Sequence, residues 1–200
     1  IERSGRFVEH ARRLTSARGL SNVSFQEADL MEAPIEKGPF DAAWCRWVAC
    51  FVPSPRTLVA RVAAVVRSGG TVVFHEYADY RTYGLVPTRP SVTRFVSEVI
   101  DNWRSTGGEP DIARALPGLL AAEGFRVERA TPRIFAVRPH EELWKWPAGF
   151  IETHLDRLIE LGRIDEPFAG QVRSDLADAA QDGVSMLMTP LVLEIVARRS

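Results

Sequence analysis

The chain has 200 residues, 46% of them hydrophobic, and 25 basic against 26 acidic side chains give a formal net charge of −1. That is enough apolar material for one substantial core, while the absence of any run of five or more like charges argues against a nucleic-acid footprint. The longest apolar stretch, Ser185 to Val196, is broken by Thr189, Pro190 and Glu194 and is too short to cross a bilayer, and Cys45 and Cys50 alone make no disulfide framework or zinc site. There is no greasy signal segment behind a basic start, so a soluble, cytoplasmic protein is the expectation.

In chain order, Ser4 is placed to cap a helix in which Phe7, Val8, Ala11 and Leu14 recur at helical spacing, with Gly19 as its stop. This predicts an amphipathic helix lying on a sheet. Asn22 to Glu27 alternates and predicts a short strand ending at Asp29; Phe40 to Cys45, after the Gly38-Pro39 turn, has the near-continuous apolar character of a central parallel strand covered on both faces. Ser54-Pro55 opens a second helix in cap-then-proline order, with Leu58, Val59, Val62, Val65 and Val66 on one face and Gly69-Gly70 as its end. Thr71 to His75 then reads as another buried strand.

The second half predicts a helix through Val92, Phe95, Val96, Val99, Ile100 and Trp103, a Pro117-interrupted helix up to Gly124, and a long strand from Arg126 to Val137 with an irregularity at Pro132. Two further helices follow, carrying Phe150, Ile151, Leu155, Leu158 and Ile159, then Phe168, Val172 and Leu176; Leu191 to Ala197 closes the chain as a strand. The domain reading is an α/β core over 1–138 and 184–200 with a helical cover over 139–183. Helix and strand alternating behind short glycine-rich punctuation describes a doubly wound sheet, because parallel neighbours need helical crossovers. Ligands in such sheets collect beyond the carboxyl ends of the strands. The positions to watch are therefore Glu2, Asp29, Cys45-Arg46 and His75-Glu76-Tyr77.

The phrases at these strand ends are Ile1-Glu2-Arg3-Ser4, Glu27-Ala28-Asp29-Leu30, Phe40-Asp41-Ala42-Ala43-Trp44-Cys45-Arg46-Trp47 and Arg67-Ser68-Gly69-Gly70-Thr71. Together with the order of elements they resemble the class I, Rossmann-like S-adenosylmethionine-dependent methyltransferases, in particular the small-molecule type related to quinone-biosynthesis enzymes. The resemblance is specific from Glu2 to Tyr77, with Ser68 where the family usually has proline. It implies a mostly parallel, seven-stranded-type sheet with an antiparallel C-terminal strand.

The resemblance also implies roles. Glu2, with Arg3 beside it, matches the acid that grips both ribose hydroxyls of the cofactor, a task suited to the two side-by-side acceptors of a carboxylate. Asp29 matches the acid that accepts from the adenine amino group, and Leu30 supplies apolar contact to the ring. Cys45 and Arg46 fall where the family's backbone passes the methionine part of S-adenosylmethionine, which leaves as S-adenosylhomocysteine. Asp41 matches a structural position, and Trp44 reads as core.

Either His75 or Glu76 is a candidate base for an attacking hydroxyl or amine, although methyl transfer needs alignment above all and can proceed without an obligatory base. Trp47, Tyr77 and Tyr80, with Tyr83 nearby, are candidates to border a pocket for a small, partly aromatic or apolar acceptor, with oxygen favoured as the accepting atom. Trp144, Trp146 and Phe150 read as packing between cover and sheet. His140 and His154 lack partners at metal-ligand spacing, so no metal is expected, and a homodimer through the helical cover is a further expectation.

The family's first strand and its glycine-rich loop have no counterpart here. In that sheet the first strand is central, so the expectation is that a preceding segment of a longer protein supplies it. Two alternatives stand beside methyl transfer: a nicotinamide-binding Rossmann domain, which also places an acid on a ribose, and a non-catalytic binding or dimerisation protein that keeps the fold.

Overall fold

The computed structural model describes residues 1–200. The elements run α1 (Gly5–Ala17), β1 (Phe40–Arg46), α2 (Pro55–Val65), β2 (Val66–Asp79), β3 (Gly84–Val86), α3 (Pro90–Ser105), α4 (Leu116–Ala122), β4 (Phe125–Arg133), β5 (Ala136–Val137), α5 (Lys145–Glu160), α6 (Glu166–Gln181), β6 (Met186–Met188) and β7 (Leu191–Arg199). The main sheet has the order β1-β2-β7-β4, and a small second sheet has the order β3-β6-β5. In the main sheet β1 and β2 pair in parallel, and β7 is antiparallel to both β2 and β4. Hence β1, β2 and β4 point one way and the C-terminal strand runs against them, the mixed α/β sheet expected from the sequence.

Local chemistry explains several elements. The Ser54 hydroxyl accepts the Thr57 N–H at 3.2 Å and Pro55 supplies the first turn of α2, where a missing N–H costs nothing. Its face of Leu58, Val59, Val62 and Ala63 is buried against the sheet. Along β2, Val72, Phe74, Glu76 and Ala78 alternate onto the same helix-covered side, joined by Ile195 and Ala197 of β7. Helices α3, α5 and α6 pack on one another through Phe95, Val99, Ile151, Leu155, Val172 and Leu176, all of them buried. β6 sits between β3 and β5 and ties this helical layer to the return of the chain into β7.

Several expectations are corrected. Asn22 to Asp29 forms no ladder, only an isolated parallel bridge between Glu2 and Glu27. Within residues 1–200, Phe40 to Arg46 has β2 as its one neighbouring strand, so its other edge is open here. Trp44 is accordingly 62% exposed instead of buried: its side chain stands on the sheet face that the helices leave uncovered. On α1 only Val8 is buried, while Phe7 and Leu14 face solvent.

Helix α2 stops at Val65, before the glycines, and Val66 to Gly70 already belong to β2. The β1–β2 register jumps from Phe40↔Val66 to Ala42↔Thr71. Gly69 has φ +73°, and a Cβ on Gly70 would lie 2.6 Å from Val66 Cγ1, so the glycines serve a kink in the strand entry and not a helix stop. β2 also continues to Asp79 because β7 pairs along its whole second half; His75, Glu76 and Tyr77 therefore lie within the strand. The expected long strand at Arg126 to Val137 is two, β4 and β5, in different sheets. Pro132 is accommodated because β4 is an edge strand.

His154, on α5, stacks on Phe150 with ring centroids 3.7 Å apart, and burial holds its imidazole below the ordinary value. The native state thus binds fewer protons here than the unfolded chain once the pH falls below about 6.5, so acidification through that window favours unfolding. Urea midpoints are expected to fall from pH 7.5 to 5.5 by more in the parent than in His154→Gln; equal slopes would show that His154 does not contribute.

Candidate functional site

Two groups of the residues singled out from the sequence come together separately. In the first, Glu2 N–H donates to the Gln26 carbonyl and Ala28 N–H donates to the Glu2 carbonyl, both at 3.1 Å. This bridge lays Glu2 and Asp29 at the ends of two neighbouring parallel segments. One Glu2 oxygen, Oε1, accepts the Ser4 N–H at 2.7 Å. Asp29 Oδ1 accepts the Met31 N–H at 2.7 Å, and its Oδ2 lies 3.7 Å from the Arg3 guanidinium. Leu30 and Met31 pack on the core, and Arg61 of α2 donates to the Met31 carbonyl at 3.0 Å. Each carboxylate thus keeps an oxygen unused by backbone N–H groups, a donor-seeking pair.

The second group surrounds the turn after β1. Trp47 adopts φ +52°, the left-handed region that a bulky residue occupies only at a cost of about 1–3 kcal/mol. Its N–H donates to the His75 carbonyl at 3.0 Å, and the next three residues are held by one side chain: Glu76 accepts N–H groups from Val48 at 2.8 Å, Ala49 at 2.9 Å and Cys50 at 3.3 Å. Glu76 is fully buried. Burial pushes its carboxyl above the ordinary carboxylate value despite the three donors, and it pushes the half-buried Cys45 thiol up as well. The carboxylate of Glu76 is thus turned into the turn after β1, onto the N–H groups of Val48, Ala49 and Cys50.

The turn presents Trp47 to a cleft. Its ring is nearly parallel to those of Tyr77 and Trp146, each with its centroid 5.5 Å away, and the Arg46 guanidinium lies 3.9 Å from its centroid. The indole N–H of Trp47 is buried without a protein partner, so the turn holds an unsatisfied donor as well as a strained backbone, a combination that gathers at functional positions. The cleft has a volume of about 490 Å³; its walls come from Arg46, Trp47, His75, Arg133, Phe135 and Trp146, among others. That volume lies within the range of small-molecule sites. Beside it, sharing Trp146 and Pro190, is a tight aromatic notch formed by Tyr77, Tyr80, Tyr83 and Phe150.

One wall of the cleft is an ionic cluster absent from the sequence reading. Strand register sets His75 of β2 opposite Glu194 of β7, and Thr131 of β4 opposite it on the other side. Glu194 then receives His75 Nε2 at 3.2 Å, Arg129 at 2.8 Å and Arg133 at 3.3 Å. Burial by itself would raise the Glu194 carboxyl, but Arg133 and Arg129, with His75, hold it below the usual range. Glu194, Arg133 and Phe135 went unrecognised in the sequence. The available signal was the spacing of Arg129, Thr131 and Arg133, which puts all three on one strand face.

Trp146, read from sequence as packing, lines the cleft. Asp41 pairs with Arg67 at 2.7 Å, at the end of β1 away from the cleft. No hydrogen bond or ion pair joins the Glu2–Asp29 group directly to the cleft; α2 links them, following the Trp47 turn in sequence and reaching Met31 through Arg61. No helix is long and apolar enough to cross a membrane.

Comparison with known proteins adds that residues 1–74 match the family described as a methyltransferase domain. Methyltransferase str3 of Strobilurus tenacellus is 27% identical over 101 residues, covering 50% of this chain and 36% of the relative. The chain thus spans about a third of the length of that relative. Among solved structures, YcgJ from Bacillus subtilis superposes over 98% of this chain and 80% of its own, with TM-score 0.55 and 17% identity. Geranyl diphosphate C-methyltransferase from Streptomyces coelicolor A3(2), determined with Mg2+, geranyl diphosphate and S-adenosyl-L-homocysteine, matches 99% of this chain and 61% of its own, with TM-score 0.54 and 14% identity. At these identities the structures establish a shared fold.

Proposed function

From a chain whose first 74 residues match the methyltransferase domain family and whose fold is that of the class I enzymes, we propose a protein that transfers the methyl group of S-adenosylmethionine to a small-molecule acceptor. The observation that carries this reading is the parallel bridge between Glu2 and Glu27, within the matched segment, which brings the segment ending in Asp29 alongside Glu2. Two carboxylates with unused oxygens suit vicinal hydroxyls and an exocyclic amine, all of which donate. The residues present therefore fit the nucleoside half of the cofactor: Glu2 with Arg3 at the ribose, Asp29 and Leu30 at the adenine. Cys45 and Arg46, at the end of β1, are assigned to its methionine half.

When bound, the cofactor supplies an electrophilic methyl on sulfur, and the reaction is an in-line displacement in which an acceptor atom, oxygen in our reading, forms the new bond as the sulfur–methyl bond breaks. The chain's own task is alignment. Glu76 acts by position: its carboxylate fixes the turn that aims Trp47 at the cleft, and its burial removes it from proton transfer. His75 is the remaining candidate base. With Nε2–H given to Glu194, Nδ1 is the ring atom left to take a proton from the acceptor. Trp47 borders the acceptor in the cleft, Tyr77 stands behind it in the adjoining notch where Tyr80 is buried as packing, and the helices after residue 139 are assigned to its cover.

Calorimetric titration of S-adenosylmethionine and S-adenosylhomocysteine tests this reading. Glu2→Ala and Asp29→Ala are each expected to weaken binding roughly tenfold or more, the loss of one charge-assisted hydrogen bond of about 1.5–3 kcal/mol. Heat of binding that both substitutions leave unchanged would refute the site, and binding of a nicotinamide dinucleotide in its place would favour the oxidoreductase alternative.

A further inference from the structure

The cleft carries more positive charge than its own acids neutralise. Arg46 makes no ion pair and lies flat on Trp47, its guanidinium 3.9 Å from the ring centroid. Arg133 reaches Glu194 at 3.3 Å, but the same carboxylate also serves Arg129 at 2.8 Å and His75 at 3.2 Å. One carboxylate among two guanidiniums and an imidazole leaves the wall cationic, and Arg46, beside His75 across the β1–β2 ladder, adds a second fork. Between them the lining is aromatic and aliphatic: Trp47, Phe135, Leu143 and Trp146.

A cation facing an apolar-walled cleft is poorly solvated and gains most from an anion that brings its own apolar body. Guanidinium groups match carboxylate and phosphate oxygens two by two, and flat rings stack on exposed indole faces. We infer that the cleft selects a flat, unsaturated or aromatic compound bearing an anionic group, with Arg133 as the residue that recognises the anion and Trp146 as the surface on which the body of the molecule lies. The inference rests on the methyl-transfer reading for the word acceptor alone; the anion preference stands or falls separately.

The anion has two conceivable sources, the acceptor and the carboxylate of the cofactor's methionine half, and Arg46 lies where either would reach. Arg133, on the edge strand β4, discriminates between them. The test titrates 4-hydroxybenzoate and its uncharged counterpart 4-hydroxybenzamide into the full chain, with S-adenosylhomocysteine as a separate arm. The acid is expected to bind about tenfold more tightly than the amide at about 50 mM salt, with the preference narrowing at about 500 mM as screening grows.

Arg133→Gln is expected to remove that preference while amide and S-adenosylhomocysteine affinities stay unchanged, and Arg133→Lys, which keeps the charge, to restore part of it. Unaltered urea midpoints and amide binding show that the variants are folded. Equal affinity for acid and amide, or no binding of either, overturns the proposal. So does a preference that survives Arg133→Gln and disappears with Arg46→Gln together with S-adenosylhomocysteine affinity, since the anion recognised is then the cofactor's. Selective binding of the acid by a protein that ignores S-adenosylmethionine would uphold the anion site and refute the methyl-transfer reading.

Discussion

Replacing Glu76 with alanine is expected to lower the free energy of unfolding by about 3 kcal/mol or more, because three N–H groups, two buried and one half-buried, lose their acceptor and each orphaned buried donor costs about 1–3 kcal/mol. The three are those of Val48, Ala49 and Cys50, which follow the left-handed Trp47. Glu76→Gln keeps one oxygen for the two shorter bonds and is expected to lose less than half as much. Urea unfolding at pH 7 measures both.

The pH dependence adds a sign. Burial raises the folded carboxyl above its ordinary value near 4.5, so the native state holds the proton where the unfolded chain has lost it. The contribution of Glu76 is therefore greatest below that value and declines as pH rises through the folded one. Glu76→Gln is expected to abolish this decline. A parent and variant with parallel pH profiles, or an alanine variant as stable as the parent, would remove Glu76 from its assigned task.

Tyr80→Ala is expected to cost about 3–5 kcal/mol, the range for removing a large buried aromatic ring. Tyr80 is 1% exposed and meets Tyr77, Trp103 and Tyr83 edge to face, with centroids 4.9, 5.4 and 6.0 Å away. Its backbone N–H is also tied to Asp111 Oδ1 at 2.8 Å, so the ring is lost from a fixed position and the hole cannot readily close. Tyr80→Phe keeps the ring and is expected to stay within about 1 kcal/mol of the parent, the net worth of one hydroxyl. Thermal unfolding distinguishes them: if alanine and phenylalanine cost the same, the hydroxyl and not the packing is what matters at the notch.

How far the site was legible depends on how local each signal is. Glu2, Asp29 and Cys45-Arg46 were singled out as strand ends; the structure keeps Cys45-Arg46 at the end of β1 and joins the Glu2 and Asp29 segments only through the bridge between Glu2 and Glu27. His75, Glu76 and Tyr77 were placed in the right strand, yet their separate fates were not readable. Alternation along β2 sends His75 to the open face and Glu76 to the covered one. A one-dimensional pattern of two apolar-flanked polar residues does not say which face has helices on it. Trp44 was misread for the same reason.

What the sequence determined by itself is the local part: the Ser54-Pro55 start of α2, the apolar faces of α3, α5 and α6, the apolar runs of β1, β2 and β7, and the strand-end phrases. These depend on periodicity, capping and turn chemistry within a few residues. Tertiary structure alone decided that the glycines after α2 make a strand kink and that Glu76 braces the turn after β1. It also decided the cleft, which joins Arg46 and His75 to Arg133, Trp146 and Glu194. Those residues are brought together by strand register, and register is chosen by how a whole sheet buries one face against its helices, information that no short window of sequence contains.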